Sequence, residues 1–580
     1  MSATAVPVAR AQTVIQRAYV YAVALVAVHM IVLGVANILR VLAEIALGAP
    51  SGGFTGLPFV FAEFSRPADQ YREQASLAIA LLAVGTPAWW IHFGMAQRAA
   101  RAVEERSSAL RSLYVHTVVF VTALLVFGYG QRAVRLVLQG TTFGSTPGDS
   151  LGLFGLEPQW QARAAGAAAM ALASAVALAF HARLSSRDRH AVTIAGRAAE
   201  VRHLAMYALV VIGFLFAAFS STQAINDIWR RIADATVALP PVDRPIPSPP
   251  PGVTLPPQPS RDDQLRFELL GAVPAIVAGL ALWLGTWLPL QRGIAAGPDA
   301  DIERRSILRK LAIYAIVFVA VLSVLVAATS ALTAIGRRLL GDPVVEPFTS
   351  LWHDLGSPVA GLLIFAPMWI FHRRVVESEA ARESEVVRAA TIRRVYTYLI
   401  CAIGLAGVAV GAAGAIGVLG SQVMGMNTHT HEETATYVSL VLVGGAAWAF
   451  HWRTALARLD EDERRSLPRR GYLYLSILGG VLGLLIFGSA ALYQILNGLL
   501  AFSFPLTRWH DIWHFAVDSS VAGAVAWWSF RLLRADRAVL GTSSEEPYAV
   551  TVSVRASDRA AARARIAQLI GSDPDISLKN

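Results

Sequence analysis

One two-helix unit recurs six times along this chain, and that repetition leaves few folds open to it. Each copy opens with a helix that starts near a cation and a tyrosine. It closes with a second helix that finishes near Trp-x-x-His. In five copies a cation stands five residues before an aligned position: Arg111 before His116, Arg202 before Tyr207, Arg309 before Tyr314, Arg393 before Tyr398 and Arg469 before Tyr474. The first copy has Arg17 before Tyr21, one residue closer. The second helices end at Trp89/His92, Leu178/His181, Trp287/Leu290, Trp369/His372, Trp448/His451 and Trp528/Arg531. A fixed period of this kind means one supersecondary unit stacked on copies of itself.

Composition decides the solvent. The chain is 55% hydrophobic and 16% charged, whereas soluble chains carry roughly 25% charged residues. An all-α integral membrane protein is expected, with the lipid bilayer as its first partner. A helix rises about 1.5 Å per residue, so a hydrocarbon core of about 30 Å takes roughly 20 apolar residues. Twelve runs qualify: about 17–46, 73–97, 112–139, 160–181, 203–232, 264–290, 311–340, 352–372, 395–424, 433–452, 471–503 and 511–530. The fold class is therefore about 12 transmembrane helices built from six parallel two-helix repeats. The first helix of each copy is the longer one and should tilt or project from the bilayer.

The net charge of +10 does not signal nucleic acid, because the cations lie in short loops between apolar runs and no polar basic face exists. Cys401, the single cysteine, excludes an intramolecular disulfide and thiol–metal clusters. No cleavable signal is expected, since the first sixteen residues lack an apolar stretch and the run from 17 to 46 is too long for one.

Loop charge orients the spans. The five loops after the second helices (98–111, 182–202, 291–310, 373–394 and 453–470) hold 26 Lys/Arg. The six opposite loops hold five: Arg66, Arg72, Arg244, Arg261 and Arg508. Positive loops stay in the cytoplasm, so both termini are expected inside. With two spans per copy, all six copies share one orientation, which argues against inverted-repeat transporter folds.

The expected organisation is 1–232 as the first five spans, 233–263 as an extracytoplasmic loop, 264–535 as the remaining seven spans and 536–580 as a cytoplasmic tail. Ten prolines between Pro240 and Pro259 enforce an extended spacer in that loop. In the tail, Val550, Val552 and Val554 alternate as in a strand, and Ser557 or Asp558 is placed to cap a helix ending at Gly571.

Trp89, His92, His181, Trp369, His372, Trp448, His451 and Trp528 fall at one level near the basic loops, where indole rings prefer lipid headgroups. With Arg183, Arg373 and Arg453 snorkelling beside them, they read as an interfacial anchor motif. The alternative, a histidine ring that binds a ligand or senses pH, is weakened by Leu290 and Arg531 in copies three and six. Gly404, Gly407, Gly411, Gly414, Gly417 and Gly420, and again Gly479 and Gly483, form small-residue stripes that let helices approach closely in lipid. Pro87 and Pro367 sit two residues before a Trp and predict kinks.

Two outer clusters hold metal-ligand residue types: His429/His431/Glu432/Glu433 and His510/Asp511/His514. His510 and His514 share a helix face, as a divalent metal requires, yet no second pair completes a site, so no resident metal or cofactor is expected. Two ionisable residues lie within the spans, His29 and Asp518, where burial in hydrocarbon costs at least about 2.5 kcal/mol. Helical rise puts His29 roughly 12 Å and Asp518 roughly 15 Å from the basic-side belt. If the repeats close into a ring, the two are placed to pair.

Arg-Arg-Val-Tyr-Thr-Tyr-Leu (393–399), Arg-Arg-Gly-Tyr-Leu-Tyr-Leu (469–475) and Ala-Trp-Ala-Phe-His-Trp-Arg (447–453), joined by long Gly/Leu/Ala spans, resemble the bacterial multipass proteins of domain of unknown function 5671. The resemblance is strongest over 390–535 and continuous across 15–380. It implies a bacterial cytoplasmic membrane and repeated helical domains, and it implies no activity.

No P-loop, Gly-x-Ser-x-Gly or His-Glu-x-x-His occurs, so ATP-driven transport within the chain and the commonest hydrolases drop out. An enzyme is not the expected class. The leading expectation is a helical scaffold or partner subunit, associating with a membrane protein or a second copy. The alternative is a transporter or channel for a small or lipophilic solute. A hydrated cavity reaching His29 or Asp518 would put transport or ligand binding first.

Overall fold

The computed structural model describes residues 5–48, 67–144, 159–236, 260–296, 306–341, 350–380, 387–426 and 431–543, with residues 561 and 568 singly. These residues form fourteen helices and, among the described residues, no strand. They are α1 (Ala5–Ala46), α2 (Pro67–Ala99), α3 (Val103–Arg106), α4 (Ala109–Phe143), α5 (Trp160–Ala191), α6 (Arg197–Thr236) and α7 (Arg261–Ala296). There follow α8 (Ile307–Leu339), α9 (Leu351–Ala380), α10 (Val387–Val423), α11 (His431–Leu456), α12 (Glu461–Arg465), α13 (Leu467–Leu500) and α14 (Leu506–Ser543).

Twelve of these are long, and they pack as six consecutive pairs: α1/α2, α4/α5, α6/α7, α8/α9, α10/α11 and α13/α14. Eleven are long and apolar enough to cross a membrane. The twelfth expected span lies in α14, which is long enough but is made less apolar by His510, His514, Asp518, Ser519 and Ser520. The first helix is the longer in every pair except the last. α14 also runs to Ser543, past the expected tail boundary at 536. The proline-rich segment from 237 to 259 and the strand expected in the tail lie outside the described residues, and of the expected tail helix only residues 561 and 568 are described.

All five junctions between consecutive pairs follow one rule. The first helix of a pair packs on both helices of the next: α1 on α4 and α5, α4 on α6 and α7, α6 on α8 and α9, α8 on α10 and α11, α10 on α13 and α14. From the second pair on, each second helix is therefore wedged between its own partner and the preceding first helix. The first and last pairs share no packing of comparable extent, so the array is open.

Glycines set the closest approaches. A Cβ on Gly411 would lie 2.6 Å from the Tyr437 carbonyl oxygen, and one on Gly480 would lie 2.6 Å from that of Ala522. Within bilayers, small residues are what permit backbones to meet at such range. The stripe on α10 therefore acts as the sequence predicts, but against two partners. Gly404 and Gly411 face α11, while Gly417 and Gly420 face His514 and Trp513 of α14.

Candidate functional site

At the end of the array that carries the basic loops, the starts of the first helices meet the ends of the second. Three buried clusters form there. One gathers Tyr21, Phe93 and Tyr114, the next Tyr207, Phe214 and Leu290, the last Tyr398, Trp452 and Tyr472. The histidines of the repeated motif are wired inside these clusters. Nδ1 of His92, His181, His372 and His451 lies 2.8 to 2.9 Å from the carbonyl oxygen four residues back. A carbonyl only accepts, so Nδ1 carries the proton and Nε2 of the neutral ring is an acceptor. Tyr114 and Tyr396 hydroxyls lie 2.9 and 3.2 Å from Nε2 of His181 and His451. Trp89 Nε1 extends the first of these by donating to Tyr114 (3.3 Å), while Trp448 Nε1 donates to a separate tyrosine, Tyr472 (3.2 Å).

The expected interfacial anchor therefore lies largely inside the bundle. His181 and His372 are 1% exposed; Trp89 stacks on Phe93 at 4.6 Å, Trp369 packs edge-on to Phe450, and Trp528 packs on Trp448 and Trp452. The indoles that do face outward at this level are their neighbours Trp90 and Trp527, 75% and 58% exposed. The register of the sixth copy also shifts. Trp528 meets Trp448 as Phe180 meets Trp89, so Ser529, rather than Arg531, stands level with His181.

Below the rings lies an ion network that sequence reasoning saw only in half. Arg111 donates from Nε and Nη2 to Asp188, and Arg469 likewise to Asp536. The one-turn helices α3 and α12 tuck Glu105 and Glu463 into the same layer. Tyr21 and Tyr398 donate to these carboxylates at 2.8 and 2.9 Å, and Arg17 and Arg394 pair with them. The signal was readable as Glu-Arg-x-Ser-x-x-Arg at 105–111, 303–309 and 463–469. It marks every second inter-repeat loop. A second missed cluster lies at the far end of α1, where buried Arg40 binds Asn37, Glu44 and Gln74 and lies over Gly166.

The two ionisable residues expected within the spans, His29 and Asp518, do not meet. His29 donates from Nδ1 to the Leu25 carbonyl at 2.7 Å, and its buried Nε2 has no hydrogen-bond partner among the described residues. The ring closure that would have joined it to Asp518 fails because the array is open. Asp518 instead lines a cavity of about 620 Å³ enclosed by α10, α13 and α14. Its walls are small or apolar: Ala402, Ala406, Ala409 and Ala413 on one side, Gly479, Gly480 and Gly483 on the other, with Phe487 and Val521 between. A Cβ on Gly479 would touch nothing within 4 Å. Ser476, whose hydroxyl donates to the Tyr472 carbonyl, and Tyr437 and His514 are the other polar residues of the lining. Exposed Val410 and Leu475 form the rim, so the cavity opens sideways where lipid would lie. No hydrogen bond or ion pair engages the Asp518 carboxyl among the described residues.

The outer His/acid clusters assemble no metal site: among the described residues no three such groups converge. The His510 and His514 rings lie 4.4 Å apart, tilted by 46°, but Asp511 accepts from Gln494 and His514 lies 2.9 Å from the Ser421 hydroxyl. Glu432 pairs with Arg337, and His429 lies outside the described residues.

No curated protein and no solved structure matches the chain. The family described as Domain of unknown function (DUF5671) matches residues 17–155, 253–351 and 394–529. The first and third segments begin on Arg17 and Arg394, the equivalent arginines that hold Glu105 and Glu463. With more than half of its residues so matched, the chain belongs to the DUF5671 family.

Proposed function

We propose that this chain is a solute-binding membrane protein of the transporter class, and that it takes a lipophilic cation into the cavity around Asp518. The observation that carries this reading is the coincidence of a ligand-sized apolar cavity with an unpartnered carboxyl. At about 620 Å³ the cavity falls within the range of roughly 300 to 1,000 Å³ that small-molecule sites occupy. Intramembrane carboxyls are costly and mark solute pathways or counter-ions. Ala and Gly walls give an apolar guest room, and Asp518 supplies its single charge contact. A rigid scaffold needs no such void, since close packing would serve it better.

The test is equilibrium binding of tetraphenylphosphonium to the full chain in nanodiscs, beside the Asp518→Asn variant. Loss of the acid should weaken binding by about tenfold or more, as expected for a charge-assisted contact in a dry site. Equal uptake by both proteins, at the level of empty nanodiscs, would return the scaffold to first place.

A further inference from the structure

Tyrosines join consecutive helix pairs at the basic end, and each end of the array leaves one of them over. Across three junctions the aligned tyrosine of one first helix packs on a tyrosine of the next first helix. Tyr21 meets Tyr114, Tyr314 meets Tyr396 and Tyr398 meets Tyr472, with ring centroids 5.5 to 5.7 Å apart. At all five junctions the aligned residue (Tyr21, His116, Tyr207, Tyr314 or Tyr398) is buried. No pair follows the last one, and there Tyr474, at the same position, is 49% exposed. The first pair shows the converse. Tyr19 is the counterpart of Tyr114, Tyr396 and Tyr472, two residues before the aligned position. It meets His92 of its own pair edge-on at 5.4 Å, as Tyr396 meets His451 at 5.6 Å. With no preceding pair to bring a tyrosine to it, Tyr19 is 58% exposed.

The spans show the same imbalance. Of the eleven, α13 and α2 bury the smallest shares of their residues. α13 is the first helix with no pair after it, and α2 is the second helix with no first helix before it. Toward the other end of the bundle, Arg40 on α1 and Asn226 on α6 stand nineteen residues past the aligned position and lie against Gly166 and Gly356 of the following second helix. Tyr493 holds the first of these places on α13, Ser76 holds the place of Gly356 on α2, and both are exposed.

From these loose ends we infer that copies of this chain associate head to tail in one membrane. The last pair of one copy receives the first pair of the next, and Tyr474 packs on the next copy's Tyr19. The five internal junctions supply the geometry, since each joins a first helix to the pair that follows it. All six pairs point the same way, so a second copy inserted alike presents its first pair in the right sense. Lipid gives apolar helices no hydrophobic reason to associate, so specific packing decides such a contact, and aromatic pairs add to it. The contact is heterologous, so copies form a closed ring or an open row according to whether its rotation closes.

The experiment is cross-linking of the full chain in native membranes. Tyr19→Cys and Tyr474→Cys are expressed together on differently tagged copies, both also carrying Cys401→Ser, and treated with a short bifunctional maleimide. A product bearing both tags is expected, in several-fold excess over the dimer that either variant forms alone. Equal self-cross-linking by the single variants would mean a symmetric contact and overturn the head-to-tail assignment, as would the lack of any product in the mixture. Native mass spectrometry of the wild type supplies a measurement that does not depend on the cysteines. Dimers or larger assemblies are expected, and Tyr474→Ala should weaken them about tenfold, the upper worth of an aromatic pair. A wild type that stays a single copy at every protein concentration would mean that lipid alone covers α13, and the inference would fall. Assembly of Tyr474→Ala as tight as that of the wild type would place the contact on another face.

Discussion

Arg469 grips both carboxylate oxygens of Asp536, at 2.6 and 3.2 Å, and Arg111 grips those of Asp188 at 2.7 and 3.2 Å. These two pairs stand in the first and last thirds of the chain, with the same donor atoms. Both arginines are essentially buried, at 1% and 2% exposure. A buried ion pair need not add stability, but breaking one partner leaves an uncompensated charge at about 3–5 kcal/mol. Asp536→Ala and Asp188→Ala should therefore lower the unfolding midpoint by similar amounts. The double variant Arg469→Met/Asp536→Leu should recover most of the loss. Thermal unfolding in detergent, followed by tryptophan emission, reads all three. A midpoint unmoved by Asp536→Ala would mean that neither Arg469 nor Arg464, which also reaches Asp536 at 2.6 Å, draws net stability from that carboxylate.

The tyrosines above these pairs make a finer comparison. Tyr21 and Tyr398 each donate to the buried carboxylate of a one-turn helix. Removing the hydroxyl leaves Glu105 or Glu463 short of one donor in a site water cannot easily reach, which costs about 1–3 kcal/mol. Tyr21→Phe and Tyr398→Phe should be destabilising to the same degree. Tyr437→Phe, on the Asp518 cavity wall, should be close to neutral. Denaturant midpoints for the three variants decide the matter, and a Tyr21→Phe value like that of Tyr437→Phe would break the equivalence of the two networks.

Much of this was legible in the residues. The six pairs follow from hydrophobic runs and recurring Arg, Tyr, Trp and His, because period and polarity alone force helices into hairpins. The acids were not legible: Asp188 and Asp536 stand seven residues beyond His181 and Ser529, at helix ends where charge is unremarkable. Only packing shows that they face Arg111 and Arg469. Trp89 and Trp528 were misjudged for a related reason. An indole at headgroup level can point out to lipid or in toward a tyrosine, and sequence gives depth without direction; Trp90 and Trp527 take the outward place. Asp518 stands out in the sequence by the cost of a carboxyl in hydrocarbon. The void beside it could not be read, since Ala and Gly faces spell close packing in one setting and empty space in another.

That ambiguity makes Gly479 a direct probe of the cavity. Its missing side chain borders open space, so Gly479→Leu should fill part of the volume without disturbing a neighbour. Binding of the lipophilic cation should fall about tenfold or more, while the unfolding midpoint holds or rises. The variant thus separates ligand loss from structural damage, which Asp518→Asn alone does not. Unchanged binding in Gly479→Leu would place any bound cation elsewhere in the array.

The same substitution at two glycines should act with opposite signs. A Cβ on Gly411 would lie 2.6 Å from the Tyr437 carbonyl oxygen and 2.9 Å from the Val441 nitrogen, both backbone atoms that cannot yield without separating α10 from α11. Gly411→Ala should cost about 1–3 kcal/mol, the usual penalty of overpacking a tight contact. At Gly479 the added methyl meets nothing within 4 Å, and replacing glycine inside a helix recovers about 0.5–1 kcal/mol of backbone entropy. Gly479→Ala should therefore raise the midpoint while Gly411→Ala lowers it. If both variants destabilise, Gly479 is packed against something in the bilayer, and the cavity around Asp518 is filled by lipid or by another chain.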